Sequence, residues 1–365
     1  MKFLFITPKP VTGGAEKITC LIANRMARKN HIVHFACICD ESDAIQLPLS
    51  QNITPKKLGK GWKGIAALAK LARSERYDAI FSSFLDVNLA ILAMSPLFRK
   101  SRLIFRDALA IKFSYKLTRH PRAILLLCKL LYRFADKLIA QTEEMADANY
   151  EVLGYKNNFV TIPNPIGIME KSGDLAFPEK PTVFLSIGRL SPQKGFPNLI
   201  NAFATCKKQH PDIILDIVGD GNEAHLLQNT ISSLSAEKFI NLIPHTKNLL
   251  PLYTNSHVYL LSSKYEGFCN TALEALSFGI PIVASTKDTG IKSMAVHQRH
   301  GILVESNDVN VLASGINEMI QNYSIFNHQE ISNDINKRFD TDAIMDRYES
   351  ILCEQDSASN IEKKQ

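Results

Sequence analysis

The sequence predicts an α/β protein of two Rossmann-like, doubly wound domains in tandem, facing across a cleft. Three observations carry this. The chain has 365 residues, more than one hydrophobic core ordinarily organises. Short apolar, β-rich runs alternate with amphipathic stretches at helical spacing, the pattern of parallel strands covered on both faces. The alternation stops once, at NPIGIMEKSGDLAFPEKP (164–181), with its three prolines and two glycines, and then restarts.

The elements follow in order. KFLFIT (2–7) reads as a first strand, not a secretion signal: it has one lysine and a short apolar run, then proline and no small-residue cleavage site. Further strands are expected at 31–39, 78–84, 102–107, 137–142 and 159–163, with helices over Ala15 to Lys29 and Ile65 to Arg73 between them. This makes a first domain of 1–165 and a linker over 166–181. The second domain, 182–340, brings strands at 182–190, 212–219, 239–243, 257–263, 281–285 and 301–304. From Asp308 to Cys353 the chain reads as helical. A last helix over 341–353 can return to the N-terminal domain, and 354–365 is a polar tail.

Composition narrows the classes. An apolar share of 45% and a charged share of 21% are ordinary for a globular protein. No apolar run reaches the roughly 18 residues of a membrane span. Seven cysteines are scattered through apolar segments, and Cys37-x-Cys39 lacks the second ligand pair of a zinc site, so a reducing cytoplasm fits. The net charge of +6 is uneven: 25 Lys+Arg face 14 Asp+Glu through residue 170, and 17 face 22 beyond it. A basic N-terminal half either meets an anionic partner or simply keeps the domain soluble. Nucleic acid is a poor partner for this chain, which has one Trp, no recognisable module and dispersed cations.

Five stretches carry candidate chemistry. TVFLSIGRLSPQKGFPNLI (182–200) is a strand, then a loop with Gly188, Arg189, Lys194 and Gly195, then a helix beginning near Pro197. Glycines and two cations ahead of a helix N-terminus suit a phosphate. VGDGNEA (218–224) fits the dinucleotide fingerprint loosely. It follows the second strand of its domain, so Gly219 and Gly221 either line a nucleotide or make a plain turn. In TPKPVTGGAEK (7–17), Gly13 and Gly14 allow a backbone to approach a ligand or serve an ordinary strand–helix turn.

In YEGFCNTALEALSFGIPIVAS (265–285), Glu266 precedes a helix that starts at Asn270 or Thr271, carries Glu274 and stops at Gly279 and Pro281. Were 266–274 all helical, the two carboxylates would stand about 12 Å apart along the axis. That is too far to flank one bond as a glycosidase pair does at about 5–5.5 Å. It suits two hydroxyl-bearing groups joined through phosphates, the layout of a nucleotide-sugar. Finally, in RHPRAILLLCKLLYRFADK (119–137), Leu125, Cys128, Leu131 and Phe134 recur at helical spacing among Arg119, Arg122, Lys129, Arg133 and Lys137. Such a basic amphipathic helix either lies on anionic lipid or faces an ordinary core.

EGFCNTALEALSFGIPIVAS resembles the Glu-x7-Glu motif of family 4 retaining glycosyltransferases with the GT-B fold, and GRLSPQKG, VGDGNE, IPNPI and GGAE extend the resemblance over most of the chain. The resemblance implies an enzyme whose C-terminal domain binds a nucleotide-sugar and whose N-terminal domain holds the acceptor. It implies that Arg189 and Lys194 neutralise the diphosphate leaving group, that Glu266 holds the donor sugar and that Glu274 holds the ribose. Gly188, Gly219, Gly267, Phe268, Cys269 and Asn270 would line the donor, with Gly13 and Gly14 close to it from the other domain. No metal or other cofactor is implied. The donor is expected to be a UDP-sugar. The acceptor is expected to be a glycan or polyprenyl-diphosphate-linked glycan of cell-surface polysaccharide or lipopolysaccharide, at the inner face of the cytoplasmic membrane.

The chain departs from the family pattern in two places. Thr289-Gly290-Ile291-Lys292-Ser293 stands where Gly-Gly-x-x-Glu is frequent, and Arg106 and Asp107 stand where a His is frequent. A sugar-nucleotide epimerase or hydrolase on the same fold, or a non-catalytic nucleotide-sugar-binding protein, are the alternative readings.

Overall fold

Each apolar run of the first half becomes a strand of one parallel sheet. The computed structural model describes residues 1–10, 13–40, 42–98, 100–155, 158–167 and 177–354. Strands β1 (Lys2–Thr7), β2 (Ile32–Cys37), β3 (Ile53–Lys57), β4 (Ala79–Ser82), β5 (Arg102–Arg106), β6 (Lys137–Ala140) and β7 (Phe159–Thr161) lie in the order β3-β2-β1-β4-β5-β6-β7. The helices of this half are α1 (Gly14–Arg28), α2 (Gly61–Ser74), α3 (Leu85–Ala93), α4 (Ile111–Ser114), α5 (Pro121–Leu131) and α6 (Glu143–Leu153). The sequence reading found every one of these strands but β3. ITPKK is an edge strand with polar, partly exposed side chains and a proline, so it carries none of the apolar run that marks the buried strands.

The second half repeats the design with β8 (Val183–Ile187), β9 (Ile214–Val218), β10 (Ile240–Ile243), β11 (Val258–Leu261), β12 (Ile282–Ser285) and β13 (Gly301–Val304). They form a parallel sheet of order β10-β9-β8-β11-β12-β13. Its helices are α7 (Phe196–Lys207), α8 (Ala224–Ser233), α9 (Leu250–Thr254), α10 (Asn270–Ser277), α11 (Val309–Gln321) and α12 (His328–Arg338), and α13 (Thr341–Cys353) ends the described chain. The stretch read as helical from Asp308 onward is thus three helices. Asn327 breaks it as the N-cap of α12, its side chain accepting from the Glu330 amide.

The chain divides into two compact units, Met1–Asn164 with the segment from Asp342, and Pro165–Thr341. Most of the expected linker, residues 168–176, lies outside the described residues, as does the tail beyond Glu354. In the first unit α13 is held by Arg25, which pairs with Asp342 at 3.0 Å and with Asp346, and by Arg102 Nη1, which donates to the Ile351 carbonyl at 2.7 Å. Tyr348 meets Phe81 edge-on at 6.3 Å.

On the other face of the same sheet, α2, α3 and α5 share one core with Leu4, Ile80, Leu103 and Phe105. Of the two readings of 119–137, the core-facing one describes the stripe. Cys128 is buried in that core and Leu131 packs on it, so most of the stripe named from periodicity faces inward, and only Phe134 of it is exposed. All seven cysteines are free thiols.

Candidate active site

β8 and β11 are neighbours where the strand order of the second sheet reverses, so the loops leaving their carboxyl ends emerge side by side. The first loop carries Gly188 to Gly195 into α7, and the second carries Ser262 to Cys269 into α10. Hydrogen bonds join the two. Ser262 Oγ donates to the Lys194 carbonyl at 2.8 Å, the Lys264 amide to the Gln193 carbonyl at 2.8 Å, and Gln193 Nε2 to the Tyr265 carbonyl at 2.9 Å.

At their junction Lys194 Nζ donates to Glu266 Oε1 at 2.7 Å, with the two side chains 19% and 11% exposed. Ser263 Oγ donates to the same oxygen at 2.7 Å. Burial works to lower the Lys194 pKa, but the facing Glu266 carboxylate outweighs it and the ammonium is pushed up to about 12. Arg189, on the same loop, is exposed and makes no hydrogen bond or ion pair among the described residues. The loop pair therefore carries one paired, largely buried cation and one exposed cation with no partner among the described residues.

The glycines of this region serve close packing. A β-carbon on Gly188 would stand 2.8 Å from Lys194 Cε, so its absence makes room for the lysine stem. Gly219 has φ +157°, and a β-carbon there would stand 1.9 Å from the Gly188 carbonyl oxygen. The turn after β9 thus lies directly on the loop after β8, with Gly188 N donating to Val218 O at 3.0 Å and Leu190 N to Asp220 O at 2.9 Å. The fingerprint-like spacing of VGDGNEA has a packing cause.

α10 begins at Asn270, so Glu266 belongs to the loop after β11 and Glu274 to the helix. Gly267, Phe268 and Cys269, between them, are buried. Thr271 Oγ1 and the Tyr259 hydroxyl lie 2.6 Å apart, and both reach the Ile187 carbonyl, at 3.3 and 3.2 Å, which seats the helix start on the end of β8. Glu274 is 7% exposed and accepts from the Tyr253 hydroxyl at 2.8 Å. Burial and the Glu274 charge hold that phenol well above its ordinary pKa, fixing it as a donor. Cys269 Sγ donates to the Thr289 carbonyl at 3.1 Å, and burial keeps the thiol protonated. Ser293 turns its hydroxyl to the Gly290 carbonyl at 2.7 Å.

Two candidates stand apart. Gly13 is the N-cap of α1 and Gly14 its first residue, in the first unit, whereas all the others lie in the second. At the end of β5 in the first unit, Arg106 Nη2 donates to Asn164 Oδ1 at 2.6 Å. The Asp107 carboxylate accepts from the Tyr132 hydroxyl at 3.0 Å and from Asn149 Nδ2 at 3.2 Å, and burial pushes its pKa up to about 7. The sequence reading missed Gln193, Ser263 and Tyr253. The first two sit beside named residues, but nothing local marks Tyr253, which meets Glu274 from 21 residues away.

Two doubly wound sheets, the second ending in paired loops with cations and carboxylates, define an α/β protein whose charged loops stand at the edge where such sheets commonly bind ligands. The comparisons with known proteins specify it further. Residues 168–338 match the family model "Glycosyl transferases group 1" and residues 12–168 match "Glycosyltransferase Family 4". An uncharacterized glycosyltransferase of Haemophilus influenzae is 30% identical over 321 residues, covering 86% of this chain and 88% of that one. The amylovoran biosynthesis glycosyltransferase AmsD of Erwinia amylovora is 24% identical, over 85% and 87% of the two chains. Among solved structures, HepE of Anabaena in complex with UDP and glucose superposes with a TM-score of 0.79, covering 97% of this chain and 100% of that one, at 22% identity. The chain belongs to the group 1, family 4 glycosyltransferases, and its fold is GT-B.

Proposed function

We propose that this enzyme transfers a hexosyl or N-acetylhexosaminyl group, with retention, from a UDP-sugar to a glycan or polyprenyl-diphosphate-linked glycan in cell-surface polysaccharide assembly, at the cytoplasmic face of a membrane. The observation that carries it is the Lys194–Glu266 pair, 2.7 Å long, on a loop that also carries Arg189, which has no partner among the described residues. In this reading the leaving diphosphate takes up Arg189 and Lys194, which then meet charge that grows as the glycosidic bond breaks. Glu266 binds hydroxyls of the sugar and Glu274 the ribose. The acceptor hydroxyl attacks from the face the diphosphate leaves, and the departing phosphate oxygen takes its proton, so no protein nucleophile takes part. Two cations and the amides at the start of α10 carry the leaving-group charge, so the reading requires no metal.

The relatives lend support as far as their names go: AmsD acts in amylovoran biosynthesis, and HepE was crystallised with UDP and glucose. The test is a thermal-shift series with UDP, GDP, ADP and a nicotinamide cofactor. At a hundredfold excess over Kd a ligand stabilises the fold by about 2.7 kcal/mol. UDP is expected to raise Tm, and Glu274→Ala to abolish the rise. A rise with the nicotinamide cofactor alone would sink the reading. Donor turnover without any acceptor would point to a hydrolase or epimerase instead.

A further inference from the structure

We propose that Arg338, at the end of α12, is a positioning residue of the donor site: it fixes the backbone of Glu266–Cys269 relative to α10. The inference rests on the donor reading above for its consequence, and on contacts within the second unit for its geometry.

Helix α12 carries none of the candidate site residues, yet it is tied to the elements that carry both glutamates. Near its start His328 Nδ1 donates to the Gly279 carbonyl at 2.8 Å, and further along Ser332 Oγ and Asn336 Nδ2 donate to the Ser277 carbonyl at 2.7 and 3.0 Å. These contacts clasp the C-terminal end of α10, the helix of Glu274, where carbonyls have no partner within the helix.

At the other end of α12 one guanidinium serves four groups. Arg338 Nη2 donates to the Ser293 carbonyl at 2.8 Å and Nη1 to the Met294 carbonyl at 3.0 Å, and Nη1 also reaches Asp334 Oδ2 at 2.9 Å. The same guanidinium lies over the Phe339 ring, 5.1 Å from its centre. Asp334 is oriented in turn. His300 is fully buried and its Nδ1 accepts from the Val296 amide at 3.0 Å, so its proton sits on Nε2 and is donated to Asp334 Oδ2 at 3.0 Å. A side chain 36% exposed gains little from a single carboxylate. Two carbonyls, a carboxylate and a ring together are a different matter, and only a planar fork reaches them all.

Both routes from Arg338 end on one segment. Ser293 and Met294 close the loop after β12, and that loop meets the loop after β11: the Glu266 amide donates to the Asp288 carbonyl at 2.8 Å, and Cys269 Sγ to the Thr289 carbonyl at 3.1 Å. Phe339, 4% exposed, meets Phe268 edge-on with ring centres 6.1 Å apart. Residues 262–269 form no helix or strand, so contacts of this kind give the segment its shape. One helix thus holds α10 at one end and the Glu266–Cys269 backbone at the other. It sets the spacing between the two glutamates that a nucleotide-sugar has to match.

The test is amide hydrogen exchange of the full-length protein, read by mass spectrometry without nucleotide, in wild type, Arg338→Gln, Arg338→Lys and Lys337→Ala. In Arg338→Gln, peptides over 264–270 and 286–294 are expected to exchange about tenfold faster, the loss of hydrogen bonds to a charged group, while β8 and the first unit keep wild-type rates. Lysine keeps the charge and the stem but cannot hold both carbonyls. Arg338→Lys should therefore recover the melting temperature without recovering protection at 264–270. Lys337→Ala, at the exposed neighbouring position, should change neither. Kd is then measured for UDP, UDP-glucose and UDP-N-acetylglucosamine. Arg338→Gln is expected to weaken the sugar-nucleotide that wild type binds more tightly by about tenfold, and UDP by less, because the sugar is the part that meets Glu266.

Wild-type exchange at 264–270 in Arg338→Gln overturns the proposal. So does an Arg338→Lys variant that recovers protection together with melting temperature, since the fork would then have no part. Should Arg338→Gln loosen the entire unit, Arg338→Lys decides alone. Equal weakening of UDP and sugar-nucleotide makes Arg338 a residue of general stability and overturns its positioning role. A wild-type protein that no uridine nucleotide stabilises sinks the donor reading instead, and the exchange rates, measured without nucleotide, decide the hold of Arg338 on the loop separately.

Discussion

Lys194 and Glu266 hold two charges together at the carboxyl edge of the second sheet. Each is the other's counter-ion at 2.7 Å, and Ser263 adds a second donor to the carboxylate, so neither charge is buried alone. A diphosphate entering beside Arg189 would share Lys194 with Glu266 and leave Glu266 an acceptor for sugar hydroxyls. Because the phosphate gains charge in the transition state, Lys194→Ala is expected to lower kcat about 10²- to 10³-fold with a smaller change in KM, in steady-state transfer assays. A variant with unchanged kcat would remove Lys194 from the leaving-group role. Lys194 and Arg189 were legible in the sequence because glycines, cations and a helix start coincide within eight residues. Tyr253 was not, because its link to Glu274 exists only once α9 is packed against α10.

Between elements, the close approach of the loop after β8 and the turn after β9 sets the geometry. Gly219 N donates to the Ile243 carbonyl at 2.9 Å, and its φ of +157° lies where L side chains are rarely found. With a β-carbon at 1.9 Å from the Gly188 carbonyl, Gly219→Ala should shift the loop that carries Lys194. A loss of about 2–4 kcal/mol in urea unfolding is expected, together with a weaker UDP thermal shift. Unaltered stability would mean that the turn relaxes freely and that the glycine has no packing role. The sequence signal here was a three-glycine-like spacing, equally suited to a nucleotide and to a turn. It could not distinguish them, since the atom that excludes a side chain belongs to residue 188, thirty-one positions earlier.

Across the whole molecule the stability curve should carry the mark of Asp107. Its carboxyl has an ordinary value of 3.8 and is raised by burial to about 7 in the first unit. Between those values the folded state holds a proton that the unfolded state has lost, so unfolding free energy falls as pH rises from about 4 to about 7 and is flat above. The full effect of three units is on the order of 4 kcal/mol. Glu75 acts in the opposite sense and in another window. Chiefly through its hydrogen bond from Lys2, its carboxylate is lowered from 4.5 to about 2, and its contribution is lost as pH falls through that range. Urea unfolding followed across pH should show Asp107→Asn less stable at pH 5 but without the fall between about 4 and 7. A variant that keeps the same fall would place the titration on another group.

The alternation of apolar runs with amphipathic stretches was enough to specify two doubly wound parallel sheets, nearly all their strands and, to within one residue, the start of α10. These follow from local periodicity, and a strand buried on both faces has little freedom to read otherwise. The Glu-x7-Glu stretch and the basic glycine loop likewise stood out in one dimension. Packing decided the rest. ITPKK became a strand because β2 offered it an edge. Gly188 and Gly219 proved to be a mutual close contact. α5, apolar nearly all round, turned Cys128 and Leu131 inward and left Leu126, Leu127 and Leu130 in solvent. Periodicity places residues on the same face of a helix but says nothing of which face meets the core, since that depends on where the rest of the chain puts its sheet.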